Sequence, residues 1–168
     1  MQNLNKETTE FVIEKAVTIC SHIIKKYSAI IEIEKIPKKL QFIFADADKL
    51  STAIANLIRN AIEVQLEQER KWVHISVDSD DEHIIIRVED EGPGLPNKIK
   101  KHELLKPFFT QKKGGTGLGL SIVQRIVMGH HGWINFYNRQ PKGATFEIGI
   151  PLKPEMDFSN PQSPQSNT

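Results

Sequence analysis

Cysteine is nearly missing from this sequence. Cys20 is the single cysteine among 168 residues, so no internal disulfide can form. A chain without disulfides suits a reducing compartment, and we expect the cytoplasm. Cys20 falls among apolar residues at helical spacing, which predicts a buried structural thiol rather than a reactive one.

Long apolar runs and a large net charge are missing as well. The longest apolar runs, such as Ile84-Ile85-Ile86, are far shorter than the roughly 20 residues that span a bilayer. No signal-peptide pattern opens the chain. The formal net charge of +1 provides no broad attraction to nucleic acid or anionic lipid. We expect a soluble segment with no nucleic-acid partner and no membrane insertion of its own; whether a longer parent protein is membrane-anchored stays open.

The length and composition indicate one globular domain. With 168 residues, of which 39% are hydrophobic, the chain can bury one core. The last ten residues consist of Ser, Asn, Gln, Thr and Pro and have little to bury. We therefore assign residues 1–152 to the domain and residues 153–168 to a disordered polar tail.

Hydrophobic periodicity predicts a mixture of helices and strands. Apolar residues recur at steps of three or four in 8–27, 48–66 and 118–129, which predicts three helices. Thr8 or Thr9 and Asp46 or Asp48 are candidate N-caps of the first two. Alternating segments predict two strands around Pro37, a hairpin over 72–89 and two final strands. The mixture predicts an α+β fold, a two-layer α/β sandwich with helices on one face of a mixed sheet.

Residues 91–116 are rich in glycine and proline and show no sustained period. A loop of this length inside a compact domain is usually functional. We predict a mobile loop that contains one short helical turn.

Asp90 follows a predicted strand and precedes Gly92 and Gly94, which let the backbone approach a flat ligand. An ionised carboxylate only accepts hydrogen bonds, so it can accept one from the exocyclic amine of adenine but offers nothing to the carbonyl of guanine. The pattern favours adenine recognition by Asp90. Taken alone, it is equally compatible with a surface turn.

A second glycine-rich segment, Gly114 to Gly119, opens the third predicted helix. The first N–H groups and the dipole of a helix favour anions, so phosphate can bind there. Thr116 adds a hydroxyl, and Lys112 and Lys113 can approach a terminal phosphate. The alternatives are a flexible hinge for the glycines and a solvated loop for the lysines.

Asn56 and Asn60 lie one helical turn apart beside the apolar stripe of the second helix. Magnesium prefers oxygen ligands and needs few from the protein when phosphates supply others, so Asn60 is a candidate ligand. Asn56 could hold one of its waters. Alternatively, both amides bond to the backbone, a reading that the glycine segments further along the chain disfavour.

Five short segments follow one another along the chain. They are Asn56-Leu57-Ile58-Arg59-Asn60-Ala61, Asp90-x-Gly92-x-Gly94, Lys106-Pro107-Phe108-Phe109-Thr110, Gly115-Thr116-Gly117-Leu118-Gly119-Leu120 and Gly143-Ala144-Thr145-Phe146. In this order they resemble the sequence boxes of bacterial sensor histidine kinases, and the resemblance covers about residues 8–151. It implies the Bergerat ATP-binding fold, which is shared with DNA gyrase, a heat-shock chaperone family and the MutL proteins. That fold has a mostly antiparallel mixed sheet, about three main helices on one face and a mobile ATP lid.

By this resemblance the cofactors are ATP and Mg2+, with Asn60 as the metal ligand, Asp90 at the adenine and Thr145 holding the adenine through water. The expected nucleotide-binding residues are Asn56, Asn60, Asp90, Gly92, Gly94, Leu95, Thr116, Gly117, Leu118, Gly119, Leu120 and Thr145.

Two positions depart from the wider superfamily. Members that hydrolyse ATP usually carry a glutamate as general base four residues before the magnesium asparagine, where this chain has Asn56. A neutral amide cannot take a proton from water, so transfer to a nucleophilic imidazole is favoured over hydrolysis. Many relatives also carry a phosphate-binding lysine where this chain has Glu63, which leaves Lys112, Lys113 or magnesium to neutralise the phosphate.

The phosphoacceptor histidine of sensor kinases is followed by an acidic residue and then a proline, and the six histidines here lack that setting. His130 and His131 precede Gly132 and are better explained as the end of a helix. The resemblance therefore implies a catalytic module whose partner is a histidine-containing dimerisation domain, and through it a response regulator. A partner-regulated ATPase and a nucleotide-binding pseudokinase scaffold are the alternatives.

Overall fold

The computed structural model describes residues 4–96, 100–107 and 117–153. Within these ranges, the chain forms both strands and helices. The strands are β1 Asn5–Thr8, β2 Ile30–Ile33, β3 Phe42–Ala45, β4 Trp72–Ser79, β5 His83–Asp90, β6 Trp133–Asn138 and β7 Ala144–Pro151, and the helices are α1 Thr9–Ile19, α2 Ser21–Tyr27, α3 Ala47–Glu63, α4 Lys101–Leu104 and α5 Gly119–Gly129.

The main sheet has the strand order β2-β4-β5-β7-β6. The β2–β4 pair is parallel and the other pairs are antiparallel, so the sheet is mixed and mostly antiparallel, as expected. The two strands around Pro37 do not pair with each other. Instead, β2 joins the main sheet and β3 forms a separate two-stranded sheet with β1, a strand that the polar residues 5–8 did not reveal.

The helices α1, α3 and α5 form the second layer. The apolar stripe of α3, including Leu50, Ile54, Leu57 and Ile58, is at most 1% exposed and packs on the core side of the sheet. The predicted two-layer sandwich with three main helices is confirmed. In the described ranges, no helix combines the length and apolar character that crossing a bilayer requires.

The first predicted helix is broken at Cys20, so α1 and α2 are separate. The Cys20 N–H is shared between the carbonyls of Ala16 and Val17, which tightens the turn. The thiol is 1% exposed and donates to the Ala55 oxygen on α3 at 3.2 Å, and burial raises its pKa. The expectation of a buried structural thiol is confirmed, but the single helix was wrong because periodicity does not show a local break.

After β7, the structure describes only Leu152 and Lys153. The Leu152 N–H donates to the Glu82 oxygen at 2.8 Å. Apart from Lys153, the expected disordered tail lies outside the described residues, and the boundary at residue 152 stays a prediction.

His130 joins the end of α5 to the start of α3. Its side chain is 2% exposed; Nδ1 bonds the Ile126 oxygen at 2.8 Å, and Nε2 accepts from the Asp46 N–H at 3.0 Å. This pattern requires a neutral imidazole with the proton on Nδ1. Burial lowers the pKa of His130, and the hydrogen bond to Ile126 and the Asp46 charge offset this only in part. His130 ends its helix, as its position before Gly132 predicted.

We expect His130 to make stability depend on pH. Because the pKa of His130 is lower in the folded chain, the unfolded chain binds more protons as the pH falls. The contribution of His130 to the free energy of unfolding is therefore complete above the ordinary histidine pKa of about 6.5 and decreases below it. Urea unfolding between about pH 7.5 and 5.5 should show that the free energy of unfolding decreases by up to about 1.4 kcal/mol per pH unit.

His130→Gln should reduce this pH dependence of the free energy of unfolding. His22→Gln, at an exposed position, should leave the pH dependence unchanged. An equal pH dependence in wild type and His130→Gln would contradict this role.

Candidate functional site

Asp90 is the last residue of β5, and only 2% of it is exposed. Its Oδ1 accepts from the Gly92 N–H at 2.8 Å and from the Ala144 N–H at 3.3 Å. A buried carboxylate is costly unless hydrogen bonds compensate for its lost hydration, and these backbone donors do so. They also hold the carboxylate in one orientation at the end of the sheet.

Glycines surround this carboxylate because side chains do not fit there. Gly94 has φ +84° and Gly143 has φ +98°, both in the left-handed region. A methyl group at Gly143 would lie 1.9 Å from the Asp90 main-chain oxygen, and one at Gly92 would lie 2.8 Å from Val64 Cγ2. The turn after β5 and the turn before β7 therefore meet at Asp90.

Two residues that the sequence did not single out hold the first glycine turn. Asn138 Oδ1, at the end of β6, accepts from the Leu95 N–H at 2.6 Å. Gln68, after α3, donates through Nε2 to the Glu91 oxygen at 3.0 Å. Because each bond joins segments at least 23 residues apart, local patterns could not reveal them.

The start of α5 lies against the asparagine pair of α3. A methyl group at Gly119 would lie 3.5 Å from Asn56 Oδ1 and 3.6 Å from both amide atoms of Asn60. Asn56 donates through Nδ2 to the Thr52 oxygen at 2.9 Å, which directs its Oδ1 away from its own helix backbone. The structure thus brings Asn56, Asn60 and Gly119 together.

The three long helices differ in how they begin. Thr8 caps α1 by accepting from the Phe11 N–H at 3.2 Å, and Asp46 caps α3 by accepting from the Lys49 N–H at 3.1 Å; both were predicted candidates. The N-cap of α5 is Leu118, which has no polar side-chain atom to offer. Its side chain therefore does not compete with an anion for the first N–H groups of α5.

Successive turns of α3 connect the two glycine segments. Val64, just after α3, packs beside Gly92, and Asn60 and Asn56 lie one and two turns earlier beside Gly119. The helical spacing predicts that Val64 belongs to the buried stripe of this helix, but the side chain is 37% exposed and lies beside Gly92. At 1.5 Å per residue, the contacts from Val64 to Asn56 extend over roughly 12 Å.

Thr145 lies away from Asp90. Side chains alternate between the two faces of a strand, and Thr145 is paired with Glu89, not with Asp90. Its hydroxyl donates to Glu89 Oε1 at 3.1 Å on the face opposite the helices. In this arrangement Thr145 and Asp90 lie on opposite faces, because an offset of one residue reverses the face. The contact of Thr145 with adenine stays a prediction. Its neighbour Ala144 reaches the carboxylate through its backbone N–H.

Other predicted residues have different outcomes. Gly117 has φ +67° just before α5, and Leu120 packs against the core. Of the predicted loop, α4 supplies the short helical turn. Lys112, Lys113 and Thr116 lie outside the described residues, so their roles at the phosphate stay predictions.

Residues 45–154 match the sequence model of the family described as histidine kinase-, DNA gyrase B- and HSP90-like ATPase. The chain belongs to this family. Within it, the chain corresponds to the catalytic ATPase part of histidine kinases.

Curated relatives of this ATPase domain include bacterial kinases. Sporulation kinase B of Bacillus subtilis is 36% identical over 74% of this chain and 28% of its own length. The histidine-protein kinase AtoS of Escherichia coli is 32% identical over 73% of this chain and 20% of its own length. The chain thus spans only a fraction, 15% to 28%, of the first relatives it matches.

A solved structure supports the same assignment. The nucleotide-free catalytic domain of histidine kinase ThkA matches with a TM-score of 0.77 and 28% identity, covering 91% of this chain and 98% of that domain. The ATPase domain described here is therefore similar in extent to a separately crystallised catalytic domain.

We expect Gly143→Ala to destabilise the ATPase domain by roughly 2 kcal/mol or more, because alanine is strained at a positive φ. Its methyl group would also collide with the Asp90 main-chain oxygen. Urea unfolding measures the change.

Gly119→Ala is the matched control, since its methyl group would make only ordinary contacts. It should change stability by less than about 1 kcal/mol. Equal stabilities of the two variants would contradict the packing described around Gly143.

Proposed function

We propose that this domain binds Mg-ATP and donates the γ-phosphoryl group to a histidine on a dimerisation domain outside this chain. The observation that carries the proposal is the arrangement along α3. One end of the helix adjoins the Asp90 turn, and the preceding turns adjoin the second glycine segment. A nucleotide lying along α3 would meet a carboxylate at its base and a helix start at its phosphates.

Asp90 recognises the adenine. Its carboxylate accepts the hydrogen bond that the exocyclic amine donates, and the backbone donors of Gly92 and Ala144 orient it. Gly94 and Leu95 shape the turn that borders the base, which Asn138 holds in place. Guanine would place a carbonyl oxygen against the carboxylate, so adenine nucleotides are the substrate class.

The phosphates bind at the start of α5. Gly117, Leu118, Gly119 and Leu120 lead into this helix, whose first N–H groups favour anions. Thr116, Lys112 and Lys113 belong to the same proposal and would supply a hydroxyl and positive charge near the terminal phosphate.

Asn60 fits the role of magnesium ligand. Its amide adjoins Gly119, where the missing Cβ leaves the α5 backbone close to both asparagines. Magnesium usually takes one or two protein ligands together with phosphate oxygens and water, which agrees with this donor set. Once bound, the ion would neutralise phosphate charge, and Asn56 would orient one of its waters.

The asparagine at position 56 favours transfer over hydrolysis. Asn56 already donates to the Thr52 oxygen, and a neutral amide is not a proton acceptor at neutral pH. An imidazole needs no deprotonation to attack phosphorus, so positioning and charge stabilisation suffice. The domain therefore positions ATP as the phosphoryl donor and needs a partner to supply the acceptor histidine.

The downstream partner would be a response regulator that receives the phosphoryl group from that histidine. In support, the histidine kinase ThkA, solved in complex with the response regulator protein TrrA, matches this chain at 26% identity with a TM-score of 0.74 over 92% of this chain and 43% of that one. We place the domain in the cytoplasm, where ATP is available.

Asp90→Asn should lower ATP affinity by roughly 100-fold or more. Its carbonyl oxygen would take the place of Oδ1 beside the Gly92 and Ala144 donors, which leaves an NH2 group facing the donating amine of adenine. Calorimetry with a non-hydrolysable ATP analogue and Mg2+ measures the loss. Wild-type affinity in the variant would overturn the adenine assignment.

Phosphoryl transfer can be followed with γ-labelled ATP, Mg2+ and an added dimerisation domain that carries a phosphoacceptor histidine. We expect label on the histidine and little phosphate release without the acceptor. Steady release of many phosphates per protein would instead indicate an ATPase, and no nucleotide binding at all would indicate a scaffold.

In the same assay Asn60→Ala should lower transfer at least about 10-fold. It should change nucleotide binding measured without Mg2+ much less, because the metal contact is then missing in both proteins. Equal effects with and without the metal would count against Asn60 as the ligand.

A further inference from the structure

Arg139 contacts the main chain of Asp90 from the side away from the helices. It follows β6 in the turn toward β7, and its Nη1 donates to the Asp90 main-chain oxygen at 3.0 Å. Its Nε lies 3.1 Å from Glu89 Oε1, and its backbone N–H donates to the Gly143 oxygen at 2.9 Å. Arg139 thus bonds both the end of β5 and the turn before β7 that contains Gly143.

The guanidinium is held in place by its surroundings. It lies over the Trp72 ring, 5.1 Å from the centroid, and its side chain is 24% exposed. A cation over an aromatic face is attracted by the ring electrons, and the contact restricts the rotation of a long side chain. Arg139 is therefore not a loosely solvated surface charge.

Glu89 gives the guanidinium a fixed anion. Its carboxylate also bonds His74 Nδ1 at 2.8 Å and accepts from the Thr145 hydroxyl at 3.1 Å. Burial raises the pKa of Glu89, but the His74 and Thr145 hydrogen bonds and the Arg139 charge outweigh it, so the pKa lies below its usual value. Glu89 is ionised at neutral pH, and Thr145, predicted to face adenine, helps to hold it.

We propose that Arg139 is a positioning residue for adenine selection. It anchors the backbone of Asp90 from the outer face of the sheet, while the Asp90 carboxylate points to the inner face. The inference rests on the proposed function, in which Asp90 binds the exocyclic amine. A hydrogen bond depends steeply on its angle and distance, so freedom in the Asp90 backbone would weaken discrimination between bases before it weakens phosphate binding.

The role requires arginine rather than any cation. Nη1 and Nε reach two acceptors at once, the Asp90 carbonyl and the Glu89 carboxylate. Lysine has one ammonium group on a flexible stem and lacks this planar fork. Arg139→Lys should therefore keep the charge but lose much of the positioning.

The test compares ATP with purine riboside triphosphate, which lacks only the exocyclic amine. The ratio of their dissociation constants, measured by calorimetry with Mg2+, reports the Asp90 contact and cancels effects on phosphate binding. Wild type should prefer ATP by about 10-fold or more. Arg139→Gln should reduce the preference to about 3-fold or less, and Arg139→Lys should lie between them.

The matched control is Arg70→Gln, because Arg70 pairs with Glu32 at 3.7 Å and its side chain is 56% exposed. It should keep the wild-type preference. A purely structural role of Arg139 would weaken both nucleotides equally and leave the ratio unchanged, so a wild-type ratio in Arg139→Gln and Arg139→Lys would overturn the inference. If Arg139→Gln does not fold, Arg139→Lys and Glu89→Gln decide by the same ratio.

The reference variant Asp90→Asn separates the two levels of the proposal. If wild type itself shows no preference for ATP, adenine recognition by Asp90 fails and the role of Arg139 fails with it. If Asp90→Asn abolishes the preference while both Arg139 variants keep it, only the role of Arg139 fails.

Discussion

The candidate site depends on the packing of α3 against the sheet. Its apolar stripe is fully buried, so the helix has one rotation and one height relative to β5 and α5. That placement sets where Asn56 and Asn60 lie and where Val64 meets the glycine turn. The hydrophobic packing of α3 therefore sets the spacing of Asn56 and Asn60, although neither side chain belongs to the apolar core.

The carboxylate of Asp90 links the stability of the fold to the proposed recognition of adenine. Burying a charge is unfavourable unless donors compensate for the lost water, and here the backbone N–H groups of Gly92 and Ala144 do so. Gly92 and Gly143, the residue before Ala144, lie where an added methyl group would collide with neighbouring atoms. The geometry that compensates the buried charge is thus the geometry that orients it for the proposed contact with adenine.

The two faces of the sheet carry different kinds of side chains at the end of β5. The inner face carries Asp90 and the core, while the outer face carries a polar network in which Glu89 bonds His74, Thr145 and Arg139. Because neighbouring strand residues point to opposite faces, one residue separates Asp90, the proposed base contact, from the network that bonds its backbone. The outer network reaches the site through the hydrogen bond from the Arg139 side chain to the Asp90 main-chain oxygen.

The sequence by itself determined the amphipathic α3, two candidates for each of two helix caps and the motifs that indicate the family, because each helix, cap or motif is a pattern of residues close together in the chain. Only the tertiary structure decided that Thr145 faces Glu89, that Asn138 and Arg139 hold the Asp90 turn and that the first helix breaks at Cys20. These outcomes depend on strand register and on contacts between distant segments. A shift of one residue in register reverses the face of every side chain on a strand, and no local pattern records that choice.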